Sequence, residues 1–151
     1  MKFDIFPEVF PDDLCEKIIM DGADHNHYDV VYRISNSGKI EKDTFRSSFE
    51  EKLFVNRDME KAKTTNESEI GIYSTSFLKN LSDAKSTLKL LKKHNNKAPC
   101  LIVGSIKKCF GLSMMTRNSK TGRKCGKKSH IDLWKYEPID PSPVFVYLEE
   151  S

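Results

Sequence analysis

At 151 residues, with 38% hydrophobic and 31% charged side chains, the chain has the size of one domain and enough apolar surface for a core, which argues against wholesale disorder. Its longest apolar runs fall far short of the roughly 20 residues that span a bilayer, and Asp4 interrupts the apolar stretch that a signal peptide would need. The four cysteines are widely separated, which favours reduced thiols. We therefore expect a single cytoplasmic domain with no metal ion and no membrane contact.

The net charge of +3 is divided unevenly along the chain. Residues 1–75 carry ten basic and sixteen acidic side chains, whereas residues 76–151 carry fifteen basic and six acidic ones. A basic excess of this kind is typical of a surface that meets phosphate or another anion. We therefore expect the C-terminal half to provide such a surface.

The first half of the chain predicts helix, strand, helix and strand in turn. Pro11 and the acids after it begin a helix over residues 11–20, and the β-branched and aromatic run over residues 29–34 predicts the first strand. Phenylalanine and leucine recur at helical spacing in residues 43–54, which indicates a second helix. The apolar residues 70–74 predict the next strand.

The second half predicts one helix followed by several strands. A stripe of leucines from residue 78 to residue 91 indicates a helix that ends near Asn95. Strands are predicted at four apolar segments, which are residues 99–106, 111–116, 129–136 and 143–148. The basic, glycine-containing residues 117–128 lack periodicity and predict an exposed loop. This order favours an α+β fold with a curved, largely antiparallel sheet, two to three helices and a single domain.

An aromatic–arginine pair and a hydroxyl triplet carry the most suggestive chemistry. Tyr32 and Arg33 lie in the first predicted strand, and Ser74, Thr75 and Ser76 lie at the end of the second. An arginine on a strand can hold a pyrophosphate through paired charge-assisted hydrogen bonds, and a small hydroxyl on a neighbouring strand can orient a ribose. These two segments resemble the ADP-ribosyltransferase family of the arginine, serine and glutamate type.

The resemblance implies a site for NAD or ADP-ribose. By that resemblance Arg33 would bind the NAD phosphates, Ser74, with Thr75 and Ser76, would complete the cofactor site, and Glu149 would stabilise positive charge on the ribose. The family expects Glu or Gln, one spacer and then Glu, whereas this chain has two adjacent glutamates at its C-terminus. We therefore expect a nucleotide-binding protein and leave open whether it is an enzyme.

A histidine and an aspartate form a second candidate site. His130 and Asp132 lie on the same face of a predicted strand because its side chains alternate. Such a pair can act as a general base with its orienting acid, and we name both as candidate catalytic groups. It could also supply two ligands of an iron site, but no histidine follows Asp132 to complete one. A structural hydrogen bond between the two side chains, beside Trp134, is the simpler interpretation.

Clustered lysines and arginines form the third candidate site. We predict that they bind nucleic acid or another anion, with Trp134 and Tyr136 available to stack on a base. The residues are Lys89 and Lys93 on a helix and Arg117, Arg123, Lys124, Lys127 and Lys128 on the loop that follows. A merely solvated surface and a protein-binding surface are the alternatives. If the loop covered a pocket containing Arg33, Ser74 and His130, the same charges would instead collect a nucleotide.

Overall fold

A six-stranded antiparallel sheet organises the fold. The structure, a computed structural model, describes residues 5–56, 70–94 and 98–148. The strands are β1 (Tyr28–Ser35), β2 (Thr75–Leu78), β3 (Cys100–Ile106), β4 (Gly111–Met115), β5 (His130–Lys135) and β6 (Val146–Tyr147), in the spatial order β4-β5-β2-β1-β3-β6. The α-helices in these residues are α1 (Leu14–Asp21), α2 (Ser48–Asn56) and α3 (Leu81–His94). The predicted α+β class and antiparallel sheet are confirmed.

Apolar side chains cover both faces of the sheet. On one face, Val31, Phe77 and Leu133 pack in a cluster with Phe45 and Phe145. On the other face, α1 and α2 pack against β4 and β5, while α3 packs against the neighbouring strands. The side chains of that face form two groups, of which the first includes Leu14, Ile18, Phe49, Leu112, Met114 and Trp134, and the second includes Leu78, Ala84, Leu88 and Leu101. None of the helices described is long and apolar enough to cross a membrane.

The second predicted helix is interrupted in the structure. A short 3₁₀-helix covers Lys42–Phe45, and α2 begins only at Ser48 because Ser47 and Glu50 form a reciprocal cap. The backbone N–H of Glu50 donates to Ser47 Oγ at 3.1 Å, and the N–H of Ser47 donates to the Glu50 carboxylate at 3.1 Å. Because the helix is broken between them, Phe45 packs on one face of the sheet and Phe49 on the other. The two rings whose spacing predicted one helix therefore belong to different core clusters.

The strand predicted at residues 70–74 is wrong in its position. Gly71–Tyr73 forms a 3₁₀-helix, and β2 begins at Thr75. The apolar character of this segment comes from packing against the core rather than from strand pairing, because Ile72 and Tyr73 are both buried. The indole Nε1 of Trp134 donates to the backbone carbonyl of Ile70 at 2.9 Å, which holds the segment against the sheet.

Candidate functional site

A cleft of about 550 Å³ opens where β1 ends and β2 begins, beside the first turn of α2. Three of the four side chains predicted to bind the cofactor line this cleft, namely Arg33, Ser74 and Ser76. The rest of its wall includes five hydroxyl groups, from Ser35, Ser37, Thr44, Ser47 and Ser48, and three carboxylates, from Glu41, Asp43 and Glu51. The fourth predicted side chain, Thr75, lies on the opposite face of its strand and donates to the Phe45 carbonyl at 2.7 Å. The fold therefore brings together most of the predicted cofactor site.

Arg33 carries a positive charge that no ion pair compensates among the described residues. Its Nε donates to the carbonyl of Thr44 at 2.9 Å, Nη1 to that of Ser76 at 2.6 Å and Nη2 to that of Arg46 at 3.3 Å. All three acceptors are neutral, and no described carboxylate lies within 4.0 Å of its nitrogens. Burial lowers the pKa of Arg33 to about 10, against the opposing effect of the Glu51 charge, so the guanidinium stays protonated at neutral pH.

The second arginine of the cleft has its charge compensated. Arg46 lies 3.1 Å from the Asp43 carboxylate and 3.6 Å from that of Glu51. Its guanidinium also stacks on the ring of Phe54, with 3.9 Å between the guanidinium carbon and the ring centroid. The contrast between the two arginines makes Arg33 the stronger anion-binding group of the pair.

A buried aspartate joins the cleft to the loop between β4 and β5. Asp132 is only 2% exposed, and Ser74 Oγ lies 2.7 Å from its Oδ1. Thr116 Oγ1 lies 2.7 Å and Arg123 Nη2 lies 2.9 Å from its Oδ2. These contacts satisfy the buried carboxylate, which is therefore a structural acceptor rather than an open acid.

Arg123 differs from its prediction as an exposed anion-binding residue. Its side chain is 7% exposed and bridges two carboxylates, with Nε 2.7 Å from Asp21 Oδ2 and Nη2 2.9 Å from Asp132 Oδ2. The guanidinium carbon also lies 5.5 Å from the centre of the Trp134 ring. Because both strong contacts are intramolecular, Arg123 fixes the loop to the body of the domain and does not face an external anion.

Asp21 is the second carboxylate of this ion-pair network and is fully buried. Burial by itself would raise its pKa, but hydrogen bonds from Ser119, Thr121 and Arg123 outweigh that effect and lower the pKa to about 2. The backbone N–H of Thr121 adds a further bond at 2.9 Å. The carboxylate is therefore ionised at neutral pH and holds the loop through several donors at once.

The two predicted catalytic groups that the structure describes, His130 and Asp132, do not lie in the cleft. His130 Nδ1 lies 2.6 Å from Thr116 Oγ1 but 4.0 Å from Asp132 Oδ1, so a threonine hydroxyl separates the imidazole from the carboxylate. Neither His130 nor Asp132 is among the residues that line the cleft. Glu149 lies outside the described residues.

The remaining basic residues lie at the surface, whereas the aromatic residues predicted to stack on a base do not. The exposed cations include Lys89, Lys93, Arg117, Lys124 and Lys128, and Lys127 is half-buried. Trp134 is 0% exposed and Tyr136 is 5% exposed, because the indole packs in the core and the phenol contacts Phe6. The predicted base-stacking role of these two rings is therefore wrong.

Several functional side chains were not predicted from the sequence. Asp21 and Thr116 complete the network around Arg123, yet Asp21 is separated from that arginine by 102 positions. No local pattern marks such a long-range pair. The sequence does contain a signal for the start of α2, since Ser47 and Glu50 have the spacing of a capping box.

Comparison of the sequence with protein-family models finds no match, and searches of curated proteins and of solved structures also find none. Within residues 5–56, 70–94 and 98–148, no group of three or more His, Cys, Asp and Glu side chains has the arrangement of a metal site.

Proposed function

We propose that this domain binds a small phosphate-bearing ligand of the nucleotide class in the cleft, with Arg33 as its electrostatic anchor. The supporting observation is a protonated guanidinium whose hydrogen bonds go to neutral carbonyls, in a cleft that several hydroxyl groups line. A guanidinium has five N–H donors, and the three hydrogen bonds of Arg33 to carbonyl oxygens leave two for a ligand. Paired donors of this kind suit phosphate oxygens.

The size and the wall of the cleft also favour this ligand class. A volume of about 550 Å³ falls within the range of sites for cofactors and drug-sized ligands. The hydroxyl groups suit a ribose or a phosphate, and the side of the exposed Phe54 ring that Arg46 does not cover offers a surface on which a purine can stack. NAD and ADP-ribose are accordingly the first ligands to test.

We propose binding rather than transferase catalysis. Of the acid-base groups predicted for a reaction, His130 and Asp132 do not line the cleft, and Glu149 lies outside the described residues. Asp132 already accepts bonds from an arginine and two hydroxyls. A bound nucleotide would therefore meet Arg33 and hydroxyl groups, beside the wall carboxylates of Glu41, Asp43 and Glu51, but neither side chain of this pair.

Arg33→Gln is expected to weaken the binding of ADP-ribose at least about tenfold, because it removes the uncompensated charge while keeping an amide donor. Isothermal titration calorimetry of the wild type and the variant measures the change, with circular dichroism to show that both are folded. The matched control is Arg46→Gln, whose charge is already compensated by Asp43 and which we expect to change the affinity less than about threefold. Equal affinities for all three proteins would contradict the proposed site.

Glu51→Gln is expected to tighten ADP-ribose binding about two- to fivefold, because it removes a negative charge that acts on Arg33. The side chain of Glu51 is 57% exposed, so the substitution has little effect on packing. Titration with ADP-ribose and with uncharged adenosine separates the electrostatic effect from any change in shape. Weaker binding of ADP-ribose by this variant would show that the cleft prefers a cationic or neutral ligand.

A further inference from the structure

A long segment of the chain contains no acidic residue. Between Asp83 and Asp132 there are thirteen lysines and arginines and no Asp or Glu, although the whole chain has a net charge of only +3. The segment includes most of α3 and the loop that joins β4 to β5. Ten of the thirteen basic residues lie on these two elements, and of these ten Arg123 is paired with Asp21 and Asp132.

The fold places these two elements side by side. The backbone N–H of Lys79 donates to the carbonyl of Ser129 at 3.0 Å, which joins the end of β2 to the end of the loop. Ser129 Oγ also donates to the carboxylate of Asp83, in the first turn of α3, at 2.7 Å. The end of the loop that carries Lys127 and Lys128 therefore lies beside the first turn of α3.

Three lysines of α3 extend this charge along one side of the helix. Lys85, Lys89 and Lys93 are spaced by four residues, so they lie on one side at intervals of about 6 Å. All three are exposed. The row therefore covers about 12 Å from the junction with the loop.

The loop is held in a defined position by its buried arginine. Arg123 binds Asp21 and Asp132, and the backbone N–H of Thr121 also donates to Asp21. The residues that follow, Lys124 and Lys128, remain exposed. Because the loop is already ordered, a ligand that contacts these lysines does not have to order it first.

We propose that this basic surface binds the phosphate backbone of nucleic acid without reading the bases, independently of the cleft. The basic surface is defined as Lys85, Lys89, Lys93, Lys124, Lys127 and Lys128. Lysine ammonium groups contact phosphates as point charges, and both aromatic rings that could have stacked on bases are buried. The sequence of the nucleic acid should consequently have little effect on affinity.

Nucleic acid suits this surface better than an anionic membrane does. Membrane-binding helices insert a broad apolar side between the lipids. The loop of residues 117–128 exposes no large hydrophobic side chain, and Leu90 is the single exposed one within residues 81–93. The surface therefore offers charge without the apolar area that would hold it in a bilayer.

Fluorescence anisotropy of the full chain with labelled 20-base-pair DNA duplexes of two unrelated sequences tests the proposal. With about four phosphate contacts, affinity should fall roughly 100-fold between 50 and 200 mM salt and differ little between the sequences. Lys124→Glu with Lys128→Glu should reduce the affinity at least about tenfold. The matched control, Lys39→Glu with Lys42→Glu, makes the same change in net charge at two other exposed lysines and should reduce it less than threefold.

Three results would overturn the proposal. The first is an absence of binding at 50 mM salt. The second is an equal loss in the two double variants, which would show that net charge alone matters. The third is binding to vesicles that contain phosphatidylserine when neither duplex is bound, which would assign the surface to lipid.

Discussion

Arg123→Ala is expected to lower the free energy of unfolding by about 3–5 kcal/mol at pH 7, because it leaves two buried carboxylates without their cation. Asp21 and Asp132 are 0% and 2% exposed, so water in the space left by the guanidinium would compensate their charges less well than the cation does. The substitution also removes the contact of the guanidinium with Trp134. Equilibrium unfolding in urea, followed by the fluorescence of this single tryptophan, measures the loss.

Arg117→Ala is the matched control for this expectation. Arg117 lies six positions earlier in the same loop but is exposed, and we expect its replacement to change stability by less than about 0.5 kcal/mol. If both alanine variants lost the same small amount of free energy of unfolding, the ion pairs of Arg123 would not contribute to stability. A large loss confined to Arg123→Ala would assign the effect to the buried carboxylates.

The free energy of unfolding lost in Arg123→Ala should depend on pH, and the ionisation of Asp21 sets the direction of this dependence. Its pKa of about 2 in the folded state lies below the ordinary value of 3.8, so its ionisation favours folding above pH 4 by about 2 kcal/mol. That contribution disappears as the pH falls from about 4 to 2. Without the cation of Arg123 the pKa of Asp21 should rise, so the difference in stability between wild type and Arg123→Ala should narrow between pH 7 and pH 3.

Strands with a continuous apolar or β-branched pattern could be predicted from the sequence almost to the residue. The strand predicted at residues 29–34 is Tyr28–Ser35, and the one predicted at residues 99–106 is Cys100–Ile106. These patterns are local, because the apolar or polar character of each residue indicates whether its own side chain is buried. The helix at residues 43–54 was harder because Phe45 and Phe49 have helical spacing but pack on opposite faces of the sheet.

One part of the candidate site could likewise be predicted from the sequence, and another part could not. Arg33 and Ser76 meet in one cleft because β1 and β2 are neighbours, and the Arg33 guanidinium donates directly to the Ser76 carbonyl. Arg123 was grouped with the exposed cations because its local sequence is basic and rich in glycine. Its burial depends on Asp21, at the end of a helix 102 positions away, and composition carries no information about such a contact.

Gly111→Ala is expected to destabilise the protein by at least about 4 kcal/mol, because Gly111, the first residue of β4, has no room for a side chain. Gly111 has φ +153°, and a Cβ atom there would overlap the backbone carbonyl oxygen of Trp134. The overlap is with backbone of the paired strand, which cannot move without breaking the register of Gly111 with Lys135. Relief would therefore require β4 and β5 to separate at the strand end beside the tryptophan.

Gly126→Ala provides the control for Gly111→Ala, since a Cβ atom at Gly126 would meet nothing within 4 Å. We expect this control to stay within about 0.5 kcal/mol of the wild type in urea unfolding. Because Trp134 is fully buried, the emission of Gly111→Ala should shift to longer wavelength in buffer, while that of Gly126→Ala should not. A loss below about 1 kcal/mol for Gly111→Ala would mean that β4 and β5 do not approach as closely there as the structure shows, and the register that places Asp132 opposite Met114 would need revision.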